Sequence, residues 1–163
     1  MTAPGDNPEQ KTLVREFQKQ LEALEKVILE LSETLTEVQL LESIPGVGIK
    51  LATAIVSEIG DASQFHHPKQ LLAYAGIDPS VFSSGKVVAT QNKITKRGSK
   101  RLRRTMYLAV TCGIRRELNP RLREYYDRKK SEGKPHKAAV IACANKLLHH
   151  VYAMLKKGQP YTL

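Results

Sequence analysis

Apolar residues follow a strict 3–4 alternation through the first quarter of the chain. Val14, Phe17, Leu21, Leu24, Ile28, Leu31, Leu35 and Val38 are separated by 3, 4, 3, 4, 3, 4 and 3 positions. The positions between them are mostly Glu, Gln, Lys, Ser and Thr, and no Gly or Pro interrupts the run. So narrow a stripe suits a coiled-coil seam better than the broader face of a globular helix. It predicts one long helix over residues 11–41. Alone, such a helix would be marginal in water. It is therefore expected to pair, either within the chain or, through residues 14–38, with a second copy as a homo-oligomer. Residues 1–10 hold two prolines, a glycine and small polar side chains, and read as disordered.

The pattern changes after residue 41, where a compact domain over 42–163 is expected. A short apolar piece ends at Ile44, and Pro45-Gly46-Val47-Gly48 breaks it. A second helix follows, with Leu51, Ala52, Ile55, Val56 and Ile59 on one face and Gly60 as its stop. Two helices joined through G-(hydrophobic)-G resemble the helix-hairpin-helix of DNA-binding proteins. The chemistry is direct. Gly46 and Gly48 let the backbone approach a phosphate, and the following helix start offers unpaired N–H groups and a positive dipole end. Lys50 in the first turn adds charge. Such a site grips backbone without reading bases.

Helical spacing returns at 68–75, with Pro68 in the first turn and Gly76 as the stop. Residues 76–100 show little helical periodicity, and a short strand at Val87–Thr90 predicts a small β-hairpin near 86–94. A loop this long in a small domain is usually functional or disordered. A basic helix is predicted over Ser99–Leu118, with Ser99 as N-cap. Its buried face comprises Leu102, Met106, Ala109, Val110, Gly113 and Ile114, and Gly113 permits close packing. Asn119-Pro120 breaks the chain before a helix over 121–131. The last helix, 136–157, is expected to bury Ala138, Ile141, Asn145, Leu148, Tyr152 and Leu155. The predicted class is all-α: a long amino-terminal helix followed by a compact helical domain.

Charge adds a partner to this picture. The 163 residues carry 26 Lys+Arg and 16 Asp+Glu, a formal charge of +10. Residues 1–41 have 4 basic against 8 acidic side chains, while 86–137 have 17 against 4. This asymmetry argues for a polyanion acting on one part of the molecule. The cations expected to meet it are Lys86, Lys93, Lys96, Arg97, Lys100, Arg101 and Arg104. No uninterrupted apolar run reaches the roughly 18–20 residues that cross a bilayer, no membrane partner is expected, and the amino terminus lacks a secretory pattern. The two cysteines, Cys112 and Cys143, make no disulfide framework. The expectation is a cytoplasmic chain.

Candidate catalytic groups are few. A metal-dependent nuclease needs clustered carboxylates, and Glu117, Glu124, Asp127 and Glu132 sit among arginines as ion-pair partners. Neither His66-His67 nor His149-His150 has a further ligand at metal spacing, so all four read as surface residues and no metal site is expected. What remains is a hydroxyl. Ser83-Ser84-Gly85 precedes Lys86 in the long loop, and nearby cations could stabilise charge on an attacked phosphate. By itself Ser-Ser-Gly-Lys is a common loop sequence.

The run over 73–109, AYAGIDPSVFSSGKVVATQNKITKRGSKRLRRTMYLA, is similar to the carboxy-terminal domain of an insertion-sequence transposase family. That family includes pilin-gene invertases and bridge-RNA-guided serine recombinases. Its ordered motifs are all present: the hairpin at 45–48, Gly76-Ile77-Asp78-Pro79, Ser84-Gly85, and Lys96-Arg97-Gly98-Ser99. The likeness runs from about residue 40 to 157, and the heptad helix resembles the family's coiled-coil linker. The resemblance implies a protein that moves or inverts DNA. It makes Ser84 the residue that attacks a phosphate and holds the strand as an ester, with Ser83 the alternative register. It implies DNA as partner and, for guided members, a structured guide RNA. It also implies a preceding resolvase-like domain with an acidic Mg²⁺-binding group, for which this sequence is expected to have no room. The expectation is therefore a truncated recombinase part that binds nucleic acid but is inactive alone, with no cofactor of its own. The competing expectations are a non-catalytic helix-hairpin-helix binder of DNA or RNA, and an assembly protein built around its heptad helix.

Overall fold

The computed structural model describes residues 8–78, 83–84, 87–88, 94–115 and 118–162. The described residues form seven α-helices and one pair of two-residue strands, so the fold is all-α. Helix α1 spans Pro8–Glu33 and α2 spans Thr36–Glu42. The heptad pattern therefore does not run through one continuous helix. Thr34 and Leu35 separate two helices, with Leu35 extended at the N-cap of α2. Two chemistries divide the stripe at that break. Val38 and Leu41 of α2 are buried in the core, whereas Val14, Phe17, Leu21, Leu24, Ile28 and Leu31 of α1 are each at least 50% exposed. Among the residues of α1, Ser32 alone is buried; its hydroxyl donates back to the Ile28 carbonyl at 2.6 Å.

Helix α3 spans Ile49–Ile59 and α4 spans Pro68–Ala75, with a 3₁₀ turn at Ala62–Gln64 between them. The start of α4 is fixed by His67, whose ring accepts from the Lys69 N–H while Gln70 reaches back to the His66 and His67 amides. Strands β1 (Ser83–Ser84) and β2 (Val87–Val88) pair antiparallel, Ser83 opposite Val88 and Ser84 opposite Val87. The expected hairpin is thus centred on 83–88 rather than on 86–94.

Helix α5 spans Lys100–Ile114, α6 spans Pro120–Ser131 and α7 spans His136–Lys157. Helix α5 stops four residues short of the expected Leu118. Asn119, fully buried, takes over there: its N–H donates to the Gly113 carbonyl, and its side chain caps α6 by accepting from Leu122 N–H at 3.0 Å. The buried face of α5 is the expected set, Leu102, Met106, Ala109, Val110, Gly113 and Ile114.

Helix α7 is central, packing on α2, α4, α5 and α6. Its buried residues are Ala139, Val140, Cys143, Ala144, Leu147, Leu148, Val151 and Met154, so of the expected set only Leu148 is buried. Ala138 is exposed, while Ile141, Asn145, Tyr152 and Leu155 are half-buried. A helix enclosed on several sides buries a broad face, and apolar residues flank that face on both edges. Helix α7 is the one described helix long and apolar enough, by length and composition, to cross a membrane. Its apolar residues are instead those of a core helix. Burial pushes the Cys143 thiol up to about 11.

Candidate nucleic-acid interface

Helices α3 and α5 define the face on which most of the expected site residues fall. At one end, the turn between α2 and α3 lies against the last turn of α5. Gly46 has φ +93°, and a Cβ built on it would stand 2.6 Å from the Gly113 Cα. Gly113 in turn would bring a Cβ to 3.3 Å from the Pro45 carbonyl. The glycine at 46 is thus required by close packing of two backbones. Gly48 differs. It is exposed, a Cβ there would meet nothing within 4 Å, and it caps α3 without a side-chain hydrogen bond. The hairpin's open backbone is therefore at Gly48 and the first turn of α3. Lys50 in that turn is exposed and pairs with Glu25 of α1 at 2.7 Å. Both partners are well solvated, so this pair is weak and exchangeable.

At the other end, the last turn of α3 meets the first turn of α5. Glu58 accepts from the Ser99 hydroxyl at 2.7 Å and faces Arg101 at 3.7 Å. Ser99 caps α5 by accepting from Leu102 N–H, as its sequence position predicts. Its own N–H donates to the Tyr74 carbonyl at 2.7 Å, and the Tyr74 hydroxyl donates to the Glu58 carbonyl at 3.1 Å. Gly98, at φ +119°, passes so close to the Tyr74 carbonyl that a Cβ would collide with it. Arg103 reaches back to the Ala75 carbonyl at 3.0 Å. The Lys96–Ser99 segment is therefore strapped over the end of α4. Lys96, at φ +56°, and Arg97 are exposed, as are Lys100, Arg101 and Arg104.

These contacts make α3 and α5 antiparallel. Gly46 touches Gly113, and Glu58 touches Ser99 and Arg101. The hairpin glycines and the basic start of α5 consequently do not meet at one point. By helix rise they stand about 15–20 Å apart. What joins them is a stripe of α5. Arg101, Arg104 and Leu108 recur at helical spacing, Arg115 follows as the C-cap, and all four are exposed, so cations lie toward both ends of the pair.

Of the expected site residues, Lys86 and Lys93 lie outside the described residues. For Ser83 and Ser84 the backbone places both in β1. The loop that carries them is closed at its base. Thr95 N–H donates to the Asp78 carbonyl at 3.1 Å, its hydroxyl donates to the Asp78 carboxylate at 2.7 Å, and Lys96 N–H donates to the Gly76 carbonyl at 3.1 Å. That base adjoins the first turn of α5. Glu58 is the residue that sequence reasoning missed. Its link to Ser99 spans 41 positions, and a lone Glu in an amphipathic helix carries no signal of it.

Asp61, Asp127 and Glu132 have local partners. Asp61 accepts from the Ser63 hydroxyl and amide, which hold its carboxyl below the usual range. Lys129 does the same for Glu132, and Asp127 pairs with Arg123 at 2.8 Å. Among the described residues no three His, Cys, Asp or Glu are grouped so as to hold a metal ion.

Fold and site together define an all-helical domain with an arginine stripe between an open helix start and a strapped basic turn. Residues 38–127 match the Transposase IS116/IS110/IS902 family, and the chain belongs to that family. It is 33% identical over 153 residues to the insertion element IS110 uncharacterized 43.6 kDa protein of Streptomyces coelicolor, covering 92% of this chain and 36% of that one. It is 34% identical over 123 residues to the pilin gene-inverting protein of Moraxella bovis, covering 75% and 38% respectively. The transposase for insertion sequence element IS1111A of Coxiella burnetii is 31% identical over 124 residues, covering 76% and 34%. The chain spans little more than a third of the length of these relatives.

Proposed function

We propose that this chain supplies the phosphate-gripping and strand-attacking part of a DNA transposase or recombinase. The observation that carries the reading is the exposed α5 stripe from Lys100, Arg101 and Arg104 to Arg115, with the open start of α3 at its far end. A separation of about 15–20 Å corresponds to about five base-pair steps of about 3.4 Å along the axis of a DNA duplex. A sugar–phosphate backbone laid along α5 meets cations first and the Ile49 and Lys50 amides at the start of α3 last. A structured RNA backbone offers the same charge to the same residues.

Ser84 is the proposed nucleophile. Its hydroxyl attacks a phosphorus atom and forms a serine–phosphate ester. The bond from phosphorus to the departing strand breaks, and that strand leaves as a hydroxyl carrying the proton given up by the serine. Supporting this role is the closed base of its loop, where Thr95 meets Asp78 and Lys96 meets Gly76 next to the first turn of α5. Lys96, Arg97 and Lys100 are then the cations that neutralise charge on the attacked phosphate. By itself the chain binds nucleic acid and does not recombine it. The heptad stripe of α1 pairs with that of a second copy.

Incubation with end-labelled element DNA and Mg²⁺, followed by denaturing electrophoresis, tests the chemistry. The expected result is no covalent adduct from the chain alone. An adduct appears when an acidic domain from a relative is added, and Ser84→Ala abolishes it. An adduct that survives Ser84→Ala contradicts the assignment and moves the attack to Ser83 or another group. No adduct even with the acidic domain present leaves the non-catalytic binder as the better reading.

A further inference from the structure

We propose that the cleft between α6 and α7 is a second phosphate-binding site, taking one sugar–phosphate unit of a nucleic-acid strand apart from the α3/α5 face. The proposal rests on the nucleic-acid reading above. The cleft encloses about 300 Å³ and is lined by Arg121, Arg128, Lys146 and His150, with Tyr125 and Tyr161 as walls. That volume is at the small end for ligand pockets and suits one nucleotide unit rather than a duplex.

Three permanent cations share this space, and Glu124 is the one carboxylate among its lining residues. Arg128 and Lys146 have no carboxylate partner among the described residues. The ring of Tyr125 holds them near each other: the Lys146 ammonium lies 4.5 Å and the Arg128 guanidinium 4.9 Å from its centroid. Three cations against one carboxylate leave a net positive potential in the cleft, which attracts an anion.

His150 lies on α7 one turn after Lys146 and stacks edge-on against Tyr161, their ring centroids 5.6 Å apart. Burial first, then the charges of Lys146, Arg121 and His149, hold its imidazole below the ordinary range. A phosphate in the cleft offsets those charges and lets His150 take up a proton and donate to it.

One wall of the cleft comes from a tail that is itself tied down. Arg121 donates to the Thr162 carbonyl at 3.2 Å, Tyr161 N–H donates to the Ser43 hydroxyl at 2.8 Å, and Asn119 reaches the Tyr161 hydroxyl at 3.4 Å. The cleft is also distinct from the basic start of α5. Helix α6 begins at the far end of α5, where Asn119 N–H meets the Gly113 carbonyl. That is about 20 Å of helix rise from Lys100.

DNA and RNA strands both present this chemistry, and the test separates them. Fluorescence anisotropy of the full chain is recorded with a labelled 20-base-pair DNA duplex, the single DNA strand and the matching RNA strand, across 50–300 mM salt. The variants are Arg128→Gln with Lys146→Gln (cleft), and Lys100→Gln with Arg104→Gln (α5). The cleft variant is expected to bind about tenfold more weakly. It should also flatten the slope of log affinity against log salt by about 1–2, additively with the α5 variant. Loss confined to the RNA probe assigns the cleft to an RNA strand, and loss confined to DNA assigns it to DNA. Lys146→Arg should retain binding, which separates lost charge from lost packing on Tyr125. In the wild type, binding should tighten from pH 7.5 to 5.5, and His150→Gln should reduce that gain. An unchanged slope in the cleft variant, with the α5 variant weakened, overturns this proposal and leaves the α3/α5 reading standing. No effect from either variant sinks both.

Discussion

Gly46 and Gly48 stand two positions apart in one motif and do different work. Gly46 needs both a positive φ and the absence of a side chain, because Gly113 lies against it. Gly46→Ala is therefore expected to cost about 2–4 kcal/mol, from backbone strain and overpacking together. Gly48→Ala has room and an ordinary φ, and should cost no more than about 1 kcal/mol through the weaker cap. Thermal or urea melts of the two variants check this, and equal losses contradict it. His150 gives a pH prediction of definite sign. Its folded pKa is below its unfolded value of about 6.5. The unfolded chain therefore binds more protons as pH falls through that range, and stability declines on acidification. Melting temperature should drop between pH 7.5 and 5.5, less steeply in His150→Gln; an identical drop in the variant contradicts the assignment. Neither residue's role was legible from composition. Gly46 could be seen as a turn glycine, but its neighbour lies 67 positions away. His150 read as a surface residue because Arg121 and Tyr161 reach it only through the fold.

Single elements were legible where one chemistry governs them. Helix α5 was readable because one face is uniformly apolar and the other basic, so Leu102 to Ile114 separate cleanly from Arg101 and Arg104. The ends of α4 and α7 followed from Pro68, Gly76 and Gly158. The buried face of α7 did not, because its alanines and valines continue around the helix and several elements enclose it. The heptad run misled in another way. Its spacing continues through Leu35 into Val38, but the backbone turns at Thr34–Leu35 and sends Val38 into the core. Helix α1 keeps an apolar stripe facing solvent, with Leu21 and Leu24 each 60% exposed and Leu31 65% exposed. If that stripe pairs with a second copy, equilibrium sedimentation should show a reversible dimer or higher assembly. Leu21→Lys with Leu24→Lys should shift it to monomer without changing the melting of the remaining domain. A strict monomer at high concentration contradicts the pairing.

Across the whole molecule, acidic and basic segments are placed in space much as they are along the chain. The acidic α1 touches the basic domain through Glu25 and Lys50, at the hairpin end of α3. Helices α3 and α5 then lie antiparallel, which no local pattern predicts, since it depends on Gly46 meeting Gly113 and Glu58 meeting Ser99. This arrangement spreads the exposed cations along α5 and away from the hairpin glycines. The most direct test is the salt dependence of binding to a DNA duplex, comparing the wild type with Lys100→Gln, Arg101→Gln and Arg104→Gln combined. The account predicts a steep negative slope for the wild type, reduced in magnitude by about 2–3 in the variant, with unchanged helical content by circular dichroism. A slope near zero in the wild type, or an undiminished slope in the variant, contradicts it.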